Sequence, residues 1–218
     1  MPVTETKPIV TSPAPSGTFS YLALGDSYTI GESVMQQESF PFQLQSLLKE
    51  KGVNVAAPQI IATTGWTTDE LQNGIKQANL IKKYDFITLL IGVNNQYRGY
   101  PLDTYKKEFS ALLQTAINFA NGRKDRVFAV SIPDWGATPS AKGFYKSPQV
   151  IATEIDSFNA ANSEITIAAG VSYTDITPAS KNAATDLGLV AKDGLHPSGK
   201  MYANWASELS PKVLNALK

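Results

Sequence analysis

The 218-residue sequence predicts a three-layer α/β/α domain on a five-stranded parallel sheet of flavodoxin-like order 2-1-3-4-5. Three observations predict it. Short apolar runs alternate with longer segments of helical period, as repeated strand–helix units around a buried parallel sheet require. Hydrophobic residues are 43% of the chain and charged residues 17%, which suits one sizeable core and excludes a disordered chain or a coiled coil. The loops that follow the apolar runs carry glycine and polar residues, and sheets of this kind bind ligands at the carboxyl ends of their strands.

Taken in order, residues 1–17 are rich in Pro, Thr and Ser without apolar period and are expected to form a flexible tail or tether, with one folded domain over 18–218. Strands are expected at Phe19–Leu24, Val53–Ala62, Asp85–Ile91, Arg126–Ile132 and Val171–Asp175. Between them, Phe42–Lys51, Thr67–Ile81, Leu102–Ala120 and Val150–Ala169 space apolar residues three and four apart, as in Phe109, Leu112, Leu113, Ala116, Ile117 and Ala120. These are expected to be helices packed on the sheet. Two more are expected at Ser198–Leu209 and Pro211–Leu217, because Ser210 suits an N-cap and Pro211 a first turn. The loops Gly31–Pro41 and Asp134–Ser147 are expected to shape a pocket. No run of about 18 apolar residues spans a bilayer and no signal-peptide core precedes the tail. A soluble protein is expected, the tail favouring a periplasmic or secreted location over a cytoplasmic one.

Composition narrows the chemistry. Without cysteine there is no disulfide, thiolate metal site or cysteine nucleophile, and with one histidine no multi-histidine metal site. Equal counts of 19 Lys+Arg and 19 Asp+Glu give no footprint for nucleic acid and no polybasic membrane patch. Any imidazole chemistry runs through His196. Ser27 follows Gly25 and Asp26 at a strand-to-helix turn, and a serine hydroxyl needs a base to become a nucleophile. Asp193 precedes His196 by three residues, close enough to hold the ring's Nδ1–H and leave Nε2 for Ser27. Donors for a developing oxyanion are available at the Ser27 N–H, the Gly65 N–H and the Asn94 side chain.

These stretches, LALGDSYTIG, ATTGWT, IGVNNQYRG and DGLHPSG, resemble the four sequence blocks of the SGNH or GDSL-type serine hydrolases, in that family's order and near its spacing. The resemblance covers 18–218. It implies a cofactor-free, metal-independent serine esterase, like a lipase, lysophospholipase or short-chain esterase, that hydrolyses a small-molecule carboxylic ester through an acyl-enzyme, with Ser27 as nucleophile, Asp193 and His196 as its partners, and Gly65 and Asn94 as oxyanion donors. Two positions depart from the family pattern. Tyr28 replaces a leucine next to the nucleophile, and Asn95 replaces the aspartate of Gly-x-Asn-Asp, which questions the support that loop receives, since an amide carries no charge.

Each residue also has a plainer reading. Ser27 alone is a helix cap, His196 a structural histidine, Asp26 a turn or capping residue, and Asn94 with Asn95 a turn. Trp66 and Asn95 are candidates for substrate contact with Tyr28, but Trp66 equally suits surface packing. Arg98 could bind an anionic substrate group or pair with an acidic neighbour, the more ordinary use. Gly194–Met201 falls short of a phosphate-binding loop because Met201 offers no hydroxyl to magnesium. There is no dinucleotide fingerprint and no Gly-x-Ser-x-Gly elbow. Rival readings are a carbohydrate O-acetyl esterase, a non-catalytic ligand-binding domain on the same fold and, more weakly, a flavodoxin-type cofactor protein.

Overall fold

The computed structural model describes residues 17–218, so the tail expected at 1–17 lies, except for Gly17, outside the described residues. Five parallel strands form one sheet: β1 (Tyr21–Gly25), β2 (Gln59–Ala62), β3 (Phe86–Leu90), β4 (Val127–Val130) and β5 (Ser172–Thr174), in the order β2-β1-β3-β4-β5. The expected order is observed. Every residue of β1 and β3 is buried, since each strand lies between two others and under helices on both sides, which is why both read as unbroken apolar runs. Edge strand β2 is only half buried and is shorter than the expected Val53–Ala62. Pro58 has no N–H for a ladder, so the early part of that run keeps only a lone bridge between Val55 and Phe19.

The main helices are α2 (Phe40–Glu50), α3 (Thr68–Ala78), α5 (Leu102–Phe119), α6 (Pro148–Ala168) and α8 (Gly199–Leu217), with three short ones, α1 (Ser27–Ile30), α4 (Val93–Tyr97) and α7 (Thr177–Ser180). Helices α2 and α8 pack together on one face, and α3, α5 and α6 on the other. The two helices expected over 198–217 are one. The Ser207 carbonyl loses its partner because Pro211 has no N–H, and the Ser210 hydroxyl donates to it instead at 3.4 Å. The apolar face from Tyr202 and Trp205 to Val213 and Leu217 runs on past the proline, so packing on α2 keeps the helix whole. Among the described residues, no helix is long and apolar enough to cross a membrane.

Candidate active site

Strand β1 ends at Gly25, where a Cβ would run into the Thr29 side chain and the Leu90 carbonyl, so only glycine lets α1 start this close to β3. Asp26 caps α1, its Oδ1 accepting the Tyr28 N–H at 3.0 Å. The capping role expected of Asp26 is therefore the one observed. Ser27 is the first helical residue, 4% exposed, and its N–H faces out of the helix start without an intrahelical partner.

At the far end of the chain, Asp193, Leu195 and His196 form a tight loop. Asp193 Oδ1 accepts the Leu195 and His196 N–H groups at 2.9 and 3.0 Å, while Oδ2 lies 2.5 Å from His196 Nδ1. The same Oδ2 accepts the Ser33 hydroxyl at 2.6 Å. Partial burial pushes this carboxyl up, but the bonds from Ser33, His196 and the backbone outweigh it and hold the group well below the usual carboxylate range. An ionised Asp193 accepts at Nδ1, so the imidazole proton sits there and Nε2 is left as the acceptor. The ring packs edge-on against Tyr28, centroids 5.7 Å apart.

A third group of residues surrounds Gly65. Trp66 N–H donates to Thr63 O at 3.2 Å across a turn whose third residue, Gly65, has φ +85°, a conformation that favours glycine. Helix α4 and its capping residue hold this turn through three side chains. Asn94 Nδ2 donates to Trp66 O at 3.0 Å, Asn95 Oδ1 accepts Thr68 N–H at 3.1 Å, and Arg98 donates to Gly65 O at 2.6 Å while pairing with Glu70 at 3.1 Å. Arg98 is thus engaged in fixing the Gly65 peptide and is not among the residues lining the cavity described next. Asn95 is fully buried and also donates to the Thr68 hydroxyl at 2.7 Å, which donates in turn to Glu108.

These three groups meet at one cavity of about 230 Å³, lined by Ser27, Tyr28, Gly65, Asn94 and His196 together with Thr64, Val93, Tyr97, Trp135, Ser140, Phe144 and Leu195. Ser27 and His196 open onto the same space without hydrogen-bonding to one another. Trp66 is absent from the lining, because its ring lies over Gly74 of α3. Of the two loops expected to shape a pocket, Asp134–Ser147 does so through Trp135, Ser140 and Phe144, whereas Gly31–Pro41 contributes Ser33 behind Asp193 and no wall residue. Tyr97, Trp135 and Phe144 make an aromatic wall with centroids 5.0–5.5 Å apart, and Trp135 is fixed by donating to Gln96 at 2.8 Å. Sequence reading missed Tyr97 because it directly follows the polar run Asn94–Gln96, and nothing marks its ring as facing the cavity. Among the described residues, no group of three or more His, Cys, Asp or Glu is placed to hold a metal ion.

The profile of the GDSL-like lipase/acylhydrolase family matches residues 23–203. No curated protein matches the chain by sequence. Among solved structures, the chain is similar to the lipase Lip_vut3 from a goat rumen metagenome, with TM-score 0.74, 19% identity, and coverage of 92% of this chain and 100% of that one. It is also similar to the lipase/acylhydrolase of Enterococcus faecalis, with TM-score 0.69, 18% identity, and coverage of 92% and 98%. The acetylxylan esterase Axe2 of Geobacillus stearothermophilus aligns with TM-score 0.66 and 15% identity over 92% and 95% of the two chains. At such identities the likeness to these structures is one of fold.

Proposed function

The chain belongs to the GDSL-like lipase/acylhydrolase family, and from that membership and the geometry of the cavity we propose that it is a serine esterase cleaving carboxylic esters of short acyl groups. One observation carries the reading: Ser27, Gly65, Asn94 and His196 line one cavity, and His196 is held through Nδ1 by Asp193 at 2.5 Å. In the reaction, Ser27 Oγ attacks the ester carbonyl while His196 Nε2 takes its proton. The oxyanion is met by the Ser27 and Gly65 N–H groups and the Asn94 amide. Asn94 uses one amide proton on Trp66 O and keeps the other for this task. His196 then protonates the departing alcohol, takes a proton from the water that attacks the acyl-enzyme, and returns that proton to Ser27 Oγ as the acid leaves. Ser27 and His196 are joined by substrate, since catalytic hydrogen bonds commonly tighten only in the substrate complex.

The acyl group stays bound through deacylation whereas the alcohol leaves, so the acyl group is assigned to the cavity. A cavity of about 150 Å³ accommodates benzene; one of about 230 Å³ with walls of Val93, Tyr97, Trp135, Phe144 and Leu195 suits a short chain or an aryl group. The test is fluorophosphonate labelling followed by a panel of short and long acyl esters and sugar acetates. Labelling at Ser27 and turnover of short esters are expected, with both lost in Ser27→Ala. Turnover that survives in Ser27→Ala overturns the assignment, and a preference for sugar acetates replaces it with a carbohydrate O-acetyl esterase.

A further inference from the structure

Ser33 has φ +66°, one of three non-glycine residues at positive φ among the described residues. The other two, Asn79 and Asn121, are asparagines at the ends of α3 and α5, the residue type and place where that conformation costs least. Ser33 has neither excuse. A left-handed serine persists only where its surroundings hold it, and such outliers gather at functional sites.

What the conformation achieves is visible in the two side chains it separates. Glu32 N–H donates to Ser27 O at 3.0 Å, so this turn is an extension of the helix that carries the nucleophile. From there Glu32 Oε2 accepts the Thr64 hydroxyl, next to Gly65, while Ser33 reaches across 160 residues of sequence to Asp193 Oδ2 at 2.6 Å. Two adjacent residues thus reach two different loops of the cavity. Oδ2 is also the atom 2.5 Å from His196 Nδ1. A carboxylate oxygen with a fixed second donor has its lone pairs assigned, and the carboxylate plane is set with them.

We propose that Ser33 is a positioning residue for the Asp193–His196 pair: its hydroxyl orients Asp193 Oδ2 toward the imidazole, and its left-handed backbone is kept for that purpose. This rests on the serine-esterase reading of the same cavity. Ser33 touches no reacting atom, so its loss should affect the chemical steps and spare substrate binding.

The experiment compares Ser33→Ala, Ser33→Gly and Ser33→Asn with the parent on one short-chain aryl ester. Alanine and glycine both remove the hydroxyl, and each is expected to lower kcat about tenfold, the scale of one hydrogen bond to a charged group, with KM unchanged. Glycine accepts positive φ and alanine does not, so Ser33→Gly should melt roughly 2–4 °C above Ser33→Ala while being equally slow. Asparagine tolerates the backbone and brings an amide donor to an exposed position, and should restore most of kcat. A Ser33→Gly variant within about twofold of the parent kcat overturns the proposal, as does a kcat that follows melting temperature across the three variants. A fluorophosphonate control separates the levels. A parent unlabelled at Ser27 removes the esterase reading and this inference with it, whereas a labelled parent with an unimpaired Ser33→Gly removes this inference alone.

Discussion

At position 95 the side chain has to give a hydrogen bond as well as accept one. Asn95 Oδ1 takes the Thr68 N–H and Nδ2 donates to the Thr68 hydroxyl, so that hydroxyl is directed to Glu108. A carboxylate at this position would draw the hydroxyl to itself, leave Glu108 without a donor, and set two negative groups around one proton. Asn95→Asp is therefore expected to cost about 1–3 kcal/mol at pH 7 by urea unfolding, with a smaller penalty at pH 5 as the new carboxyl is protonated; an unchanged midpoint at pH 7 would contradict this account. The sequence carried the departure from Gly-x-Asn-Asp but not its compensation, because Glu108 is 40 residues from Thr68 and its approach depends on α3 and α5 packing together. Ser27, Asp193 and His196 stand out in the sequence as candidates for the opposite reason. Their spacing is local to two short blocks, and with a single histidine in the chain no competing base had to be considered.

At the level of elements, legibility followed burial on both sides. Strands β1 and β3 are buried throughout and stand out as apolar runs, while β2 at the edge and the single helix over 199–217 were misjudged at Pro58 and Pro211. At Pro211 tertiary packing overrode a local stop signal that is sound in isolation. The sequence predicts a loop where the short helix α4 stands, and that helix supplies Asn94, Asn95 and, through its cap, Arg98 to the Gly65 turn. The wall built by Tyr97, Trp135 and Phe144 bounds the cavity, and Phe144 is carried on the loop before α6. Phe144→Ala should open that wall and raise kcat/KM for longer acyl esters relative to the acetate about tenfold, the scale at which a few methylenes are distinguished in an apolar site. The check is a series of aryl esters of increasing acyl length. A parallel fall for every chain length would place the acyl group elsewhere.

Over the whole molecule, Asp26 ties stability to pH. It is fully buried beneath α1, and among the described residues its Oδ2 has no partner, nor do the buried polar atoms Thr29 Oγ1, Tyr202 Oη and Trp205 Nε1. Burial pushes its carboxyl from an ordinary value of 3.8 to about 7, against the opposing bonds from the Tyr28 and Asp26 backbone. In the unfolded chain the group titrates near 3.9. Between these values the folded protein holds a proton that the unfolded chain does not, so stability falls as pH rises from about 4 to about 7. Asp193 runs the other way: its folded value is depressed, so its contribution is present above about 4 and lost only in stronger acid. Asp26→Asn keeps the cap, since an amide oxygen accepts the Tyr28 N–H equally well, but removes the ionisable proton. Urea unfolding at pH 5 and pH 8 should show the parent losing stability between them and the variant losing less, by on the order of 3 kcal/mol for a group this buried. Equal pH dependence in the two proteins would mean that Asp26 is ionised in the fold at both pH values, with an acceptable partner for Oδ2 that its surroundings do not provide.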